Sequence, residues 1–260
     1  MKFAIFTQDE RVYLPIPIGI VADARPEDIA CIVLCPPMST HGGKWKGLRK
    51  HLAVFRLQGA FIMAWRIFAA KIFPLLGIRP SDRKYWTIAE IGKAHNVPTY
   101  HVPLLKSSQL QDILEKHPAD LLISVSCPQI IRPDVLNHFK HGGVNVHSGD
   151  LPKYRGLMPT FWTLYHEEKQ TGVTVHYLGD KLDNGEILLQ KKLEVTDDDT
   201  WDSLILKTKT EAGSLLLEVI DQCAEGRIDP QPNPDDESTY FSFPTAEDAR
   251  TFRARGKKMF

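Results

Sequence analysis

The sequence predicts an α/β protein with a mostly parallel sheet flanked by helices, and two observations carry that prediction. Short apolar runs at residues 3–7, 29–34, 99–102, 121–125, 143–147, 172–178 and 187–193 read as strands. Segments with helical spacing lie between several of them. Strands alternating with helices favour parallel pairing, because a crossover helix must return the chain to the same sheet edge. The chain has 260 residues, 43% of them hydrophobic, which is enough for a substantial core.

Taken in order, the first strand candidate at residues 3–7 is broken by Asp9, Glu10 and Arg11, so no signal-peptide core follows Lys2 and a cytoplasmic location is expected. Residues 29–34 form an apolar run, and Cys31 and Cys35 read as core thiols. Four scattered cysteines do not make a disulfide framework, and no ligand spacing for zinc occurs. Residues 86–95 have helical spacing and stop at Asn96-Val97-Pro98. Residues 108–117 stop at Pro118, and Leu121-Leu122-Ile123-Ser124-Val125 then reads as a buried strand. After residues 143–147 a helix is expected at 159–168, with Pro159 suited to a first turn. A long amphipathic helix is expected at 200–226, with Trp201, Leu204, Leu215, Leu216, Val219 and Ile220 on its apolar stripe. The remainder is rich in Pro, Asp and Arg. Its aromatic stretch at 238–244 is expected to dock on the body, and its basic end at 250–260 to be solvated. The chain thus divides into a main unit, 1–226, with a basic insertion at about 36–85, and an extension, 227–260.

The insertion departs from the rest of a chain whose formal net charge is zero. Between Ile29 and Ser81 there is no Asp or Glu, whereas Lys44, Lys46, Arg49, Lys50, Arg56, Arg66, Lys71 and Arg79 all occur. Leu48, Leu52, Phe55, Phe61, Ile62, Trp65, Phe68, Ala69 and Ile72 supply apolar faces. One reading is an ordinary core helix with a solvated basic face. The other is a basic amphipathic helix that rests on an anionic membrane or grips a phosphorylated substrate. Gly42 and Gly43 precede Lys44 without phosphate-loop spacing. Arg66, Lys71 and Pro74 argue against a membrane-spanning helix at 57–78. Zero net charge gives no global field for nucleic acid.

The most informative run is residues 144–156. Strand side chains alternate, so Val144 and Val146 face one way while Asn145 and His147 face the other, at the exit of a buried strand. Open α/β sheets place their sites at such exits. No Gly-x-Gly-x-x-Gly follows the first strand and no Gly-x-Ser-x-Gly elbow is present, so dinucleotide binding and serine hydrolysis are not indicated. A carboxylate completing the pair is found in Leu182-Asp183-Asn184-Gly185. That tetrapeptide also suits an ordinary hairpin, and a single histidine is more often structural than catalytic.

The run Asn145-Val146-His147 is followed by Leu151-Pro152-Lys153-Tyr154-Arg155-Gly156, by Thr171-Gly172-Val173-Thr174-Val175-His176, and by Leu182-Asp183-Asn184-Gly185-Glu186-Ile187-Leu188. In that order, across residues 98–226, the chain resembles the folate-dependent formyltransferases. These include the glycinamide ribonucleotide, methionyl-tRNA and sugar N-formyltransferases. The resemblance implies a Rossmann-like formyltransferase fold and an enzyme that moves a formyl group from 10-formyltetrahydrofolate to an amine without a metal. It implies Asn145, His147 and Asp183 as catalytic residues. Asn145 and His147 would meet the developing oxyanion, and Asp183 would set the protonation of His147 and receive a proton through water. It also implies folate contacts from Ser126, Cys127, Gln129 and Ile130, and from Gly179 and Asp180. Asp150, Lys153, Tyr154 and Arg155 are the implied acceptor contacts.

Two departures shape the expected acceptor. The family usually carries Pro-Ser-Leu after the histidine, where this chain has Ser148-Gly149-Asp150, so Asp150 either meets the acceptor amine or caps the loop. Residues 227–260 are not expected to form the separate β-barrel that the methionyl-tRNA enzymes carry after their catalytic domain. The expectation is therefore a small amine acceptor, first an amino sugar carried on a nucleotide, and no nucleic acid partner. Peripheral membrane contact through the basic segment is a further expectation. A formyltetrahydrofolate hydrolase and a non-catalytic ligand-binding module remain as alternatives.

Overall fold

The computed structural model describes residues 1–36, 43–81 and 83–260. Gly42 falls outside them, and so do the side chains of Lys44, Lys46 and Leu48. In chain order the first half comprises β1 (Phe3–Gln8), α1 (Pro15–Ala24), β2 (Ile29–Cys35), α2 (Gly43–Ile72), α3 (Ile88–Ala94), β3 (Thr99–His101), α4 (Ser108–Lys116) and β4 (Leu121–Val125). The second half comprises α5 (Pro133–Leu136), β5 (Gly143–His147), β6 (Arg155–Gly156), α6 (Pro159–Tyr165), β7 (Gln170–Tyr177), β8 (Ile187–Glu194), α7 (Trp201–Ala224), β9 (Tyr240–Phe241) and α8 (Ala246–Ala254).

Seven strands form one sheet in the order β3-β2-β1-β4-β5-β7-β8. The first five run parallel, and β7 and β8 close the edge as an antiparallel hairpin. All seven expected strands are present. Central strands are apolar on both faces because helices cover both. Phe3 and Ile5 join one core with α1, α3 and α7, while Ala4 and Phe6 join the other with α4 and α5. Cys31 and Cys35 are buried in β2. The chain moves outward from β1 to β3 and then returns to β4, so the strand order reverses between β1 and β4. A crevice opens at such a reversal, outside the carboxyl ends of the strands.

The expected helices form with local support. Thr87 caps α3 by accepting the Glu90 N–H at 3.1 Å, and Thr200 with Ser203 makes a reciprocal cap on α7. Helix α1 has no counterpart in the sequence reading, because Pro15-Ile16-Pro17 looks like a breaker. Both prolines sit in the first turn, where their missing N–H groups have no helical partner to lose. The Glu10 carboxylate takes the N–H groups of Val12, Tyr13 and Leu14 just ahead of it.

One expectation is corrected. Residues 250–260 are not a solvated end: Phe252 is fully buried and stacks on Phe161 at 4.6 Å, and the Trp201 and Asp202 N–H groups bond Lys258 and Met259 carbonyls. The aromatic stretch does dock, since β9 pairs with β6. Residues Arg49–Leu76 are long and apolar enough to cross a membrane by length and composition, despite the charges within them. Helix α2 is nevertheless broken by non-helical Arg56, at φ 58°, and one of its sides packs on the body.

Candidate active site

Strand β5 pairs with β4 on one side and β7 on the other, with Asn145 opposite His176. Val144 and Val146 enter the core, and the alternate residues Asn145 and His147 meet Asp183 from the loop between β7 and β8. Asn145 Nδ2 lies 3.2 Å from His176 Nε2 and 3.5 Å from Asp183 Oδ1. His147 Nδ1 is 3.6 Å from Asp183 Oδ2, and His176 Nε2 is 3.6 Å from Oδ1. The backbone N–H of Gly156 donates to Asp183 Oδ2 at 2.9 Å. His147 and Asp183 are only 6% and 7% exposed, so this polar cluster is largely screened from bulk water.

The network assigns the tautomers. His147 Nε2 is 2.8 Å from the Tyr154 carbonyl, which only accepts, so Nε2 carries hydrogen and Nδ1 faces the carboxylate. His176 Nδ1 is 2.7 Å from the Tyr177 carbonyl, so its bare Nε2 accepts from Asn145 and fixes the flip of that amide. Burial opposes ionisation of Asp183. The Gly156 N–H, and the positive charge that His147 or His176 carries when protonated, outweigh it and hold the carboxyl well below the usual range. Burial lowers the pKa of His147 against the pull of Asp183, so the imidazole is neutral at neutral pH.

Close packing explains the unusual residues after His147. A Cβ on Gly149 would come within 2.6 Å of His147 Nε2, so this position backs directly onto the imidazole. Asp150 forms an ion pair with Lys192 on β8 instead of lining open space. Lys153 is exposed. Tyr154 and Arg155, expected to hold the acceptor, are committed elsewhere. The Tyr154 hydroxyl donates to Glu168 at 2.8 Å and its ring stacks on Phe241. Arg155 is buried and binds Asp235 at 2.6 Å and the Asn233 side chain at 2.9 Å. Asn233 in turn donates to the carbonyls of Asp183, at 3.0 Å, and Gly185, at 2.8 Å. The extension 227–260 thereby braces the loop that presents Asp183.

The expected folate contacts divide similarly. Gln129 ties its amide to Leu105 N–H and the Pro103 carbonyl. Ile130 is 84% exposed beside a hollow of about 250 Å³ shared with Leu104 and Leu105. Cys127 directs its thiol at the Gln129 carbonyl. Gly179 and Asp180 form the loop before Asp183, where Asp180 accepts from Asn184 at 2.7 Å. Ser126, at φ 51°, receives Lys209 Nζ at 3.2 Å.

Two residues to which the sequence reading assigned no role belong to this site. His176 shares the face of Asn145 across the β5/β7 ladder, and period-two alternation from Thr174 along β7 is the signal that marks it. Lys209 sits on the buried side of α7 and has no ion-pair partner among the described residues. Burial pushes its amine down to about 8, and its charge helps keep His147 neutral. No periodicity could flag it, because a lysine in an amphipathic helix ordinarily faces water.

Sheet topology, strand exits and the Asn–His–Asp cluster define an α/β protein with a screened polar cluster at the exit of β5, beside the strand-order reversal. Residues 88–220 match the formyl transferase family, and the chain belongs to it. The methionyl-tRNA formyltransferase of Thermosynechococcus vestitus is 34% identical over 147 residues, which are 56% of this chain and 44% of that protein. That of Thermodesulfovibrio yellowstonii is 39% identical over 113 residues, 44% of this chain and 37% of that protein. The chain thus spans less than half the length of these relatives. By name they act on a tRNA, which stands against the expectation of no nucleic acid partner.

Solved structures share the fold over more of the chain. The phosphoribosylglycinamide formyltransferase of Anaplasma phagocytophilum covers 92% of this chain and 98% of its own, with a TM-score of 0.62 at 17% identity. The N-formyltransferase of Helicobacter canadensis, solved with folinic acid and dTDP-3-aminofucose, covers 93% of this chain and 71% of its own, with a TM-score of 0.57 at 15% identity.

Proposed function

We propose that this chain transfers a formyl group from 10-formyltetrahydrofolate to the amine of a small acceptor. The observation that carries the reading is the convergence of Asn145, neutral His147 and ionised Asp183 at the exit of β5. The donor set suits an acyl carbonyl. Asn145 offers one N–H held only weakly by Asp183, at 3.5 Å, and the buried Ser148 Oγ, next to His147, has no hydrogen-bond partner among the described residues. When bound, the folate supplies a carbonyl carbon attached to nitrogen.

The residues divide the work by charge. Attack by an amine places negative charge on the carbonyl oxygen, and the Asn145 N–H turns from Asp183 to meet it. The same attack makes the amine nitrogen cationic. His147 Nδ1, bare and facing a carboxylate, is placed to hold the released proton and to return it to the folate nitrogen as that nitrogen's bond to the formyl carbon breaks, while Asp183 stabilises the intervening imidazolium. The Tyr154 carbonyl keeps the ring oriented throughout.

For the acceptor, the reading favours an amino sugar on a nucleotide, the class of ligand named for the Helicobacter canadensis protein. Aminoacylated tRNA, named for the sequence relatives, is the competing outcome. The test incubates the purified chain with 10-formyltetrahydrofolate and either a nucleotide amino sugar, methionyl-tRNA or no amine, and measures tetrahydrofolate and formate. The expected result is amine-dependent tetrahydrofolate release that Asp183→Asn abolishes. Formate release without amine would reassign the chain as a hydrolase, and equal rates for parent and variant would overturn the mechanism.

A further inference from the structure

Helix α2 carries two apolar stripes, and the body covers only one. On the inner side Val54, Ala69 and Ala70 are buried, Phe55 packs on Trp201, and Arg66 binds both oxygens of Asp202, at 2.5 and 2.8 Å. On the outer side Leu57, Phe61, Trp65 and Phe68 are 79%, 72%, 52% and 49% exposed, and the turn that follows adds Leu75 and Leu76 at 80% and 65%. The spacing of the first four, i, i+4, i+8 and i+11, places them on one helix face. Single exposed apolar residues are ordinary, but a continuous run of this size marks an interaction surface.

We infer that this outer face is a docking surface for an anionic lipid bilayer, which it meets lying in the interface. Charge selects that occupant. Arg49, Lys50, Arg56, Lys71 and Arg79 are exposed along the same segment, and no Asp or Glu occurs between Ile29 and Ser81. Apolar side chains on a segment whose own charged residues are all cationic complement acyl chains beneath anionic headgroups. A two-fold contact with a second copy would set this acid-free surface against itself. Spanning is excluded by the inner stripe, since Ala69, Ala70 and the Arg66–Asp202 pair are tied to the body. Asp202 opens α7, about 10 Å along that helix from Lys209, so docking would bring the candidate site near the bilayer. The inference stands independently of the reaction assigned to that site.

Co-sedimentation of the full chain with vesicles of phosphatidylcholine, alone or mixed with phosphatidylglycerol, tests it. Binding is expected only with the anionic vesicles, together with a blue shift of emission that Trp65→Phe diminishes. A variant combining Leu57→Ser, Phe61→Ser and Leu75→Ser should keep its melting temperature, because none of these side chains packs on the body, and should lose at least tenfold in partitioning, roughly the value of one large apolar side chain. A variant combining Arg49→Gln, Lys71→Gln and Arg79→Gln should weaken binding by about fivefold per cation. Absence of binding by the folded parent would overturn the inference. So would equal binding by the variants, or a Trp65 shift that follows protein concentration without lipid, which would indicate a second copy.

Discussion

At the scale of single residues, the site works by setting protonation states through burial and neighbours. Replacing Asn145 with alanine removes the N–H assigned to the developing oxyanion, and turnover is expected to fall roughly 100- to 1,000-fold, measured as tetrahydrofolate release. The expected pH profile falls on the acid side below 6.5, because the neutral form of His147 is the one that accepts a proton and burial lowers its pKa from that ordinary value. Lys209 gives a sharper contrast between stability and function. Its amine titrates near 8 in the folded chain against 10.5 when solvated, so the unfolded chain binds more protons between those values and stability rises with pH across that window. Below the window the buried cation costs the folded state on the order of 3 kcal/mol. Lys209→Met should therefore raise the midpoint of urea unfolding at pH 7. It should also lower activity, because Ser126 loses its partner.

Among the elements, the two-residue pairing of β6 with β9 matters more than its length suggests. Gly156 has φ 99°, and a Cβ there would lie 2.2 Å from the Phe241 carbonyl oxygen. Gly156→Ala is expected to separate the strands and take the Gly156 N–H from Asp183. The loss of stability should be at least about 2 kcal/mol, and the loss of activity should exceed what the stability change explains. Denaturant titration alongside kinetics checks both. The seven sheet strands and most helices were legible because burial on both faces forces continuous apolar runs, and because caps such as Thr87 and Thr200 are local. Helix α1 was hidden by Pro15 and Pro17, whose effect depends on lying in a first turn. Helix α8 was hidden because Phe252 is its main core anchor and its basic residues suggest a solvated end.

Across the whole molecule, residues 227–260 complete the main unit. Asn233 and Asp235 hold Arg155, Asn233 also holds the Asp183 loop, and Phe252 and Met259 fill a core that includes Phe161 and Trp201. A chain ending at Gly226 is expected to lose cooperative unfolding and all formyl transfer. Circular dichroism melting would check the first, and a melt indistinguishable from the full chain would contradict the bracing role. Asn145, His147 and Asp183 could be nominated from the linear chain because alternation and the resemblance both bear on them. Linear position was silent on what Tyr154 and Arg155 touch, since their partners in the extension lie 78 or more residues away. Periodicity establishes which residues are buried and which strands exist, because each is a local response to water. The identity of the neighbours that shift a pKa, fix an amide flip or leave a helix face uncovered depends on contacts between distant segments, and those come into being only when the sheet and its helices pack.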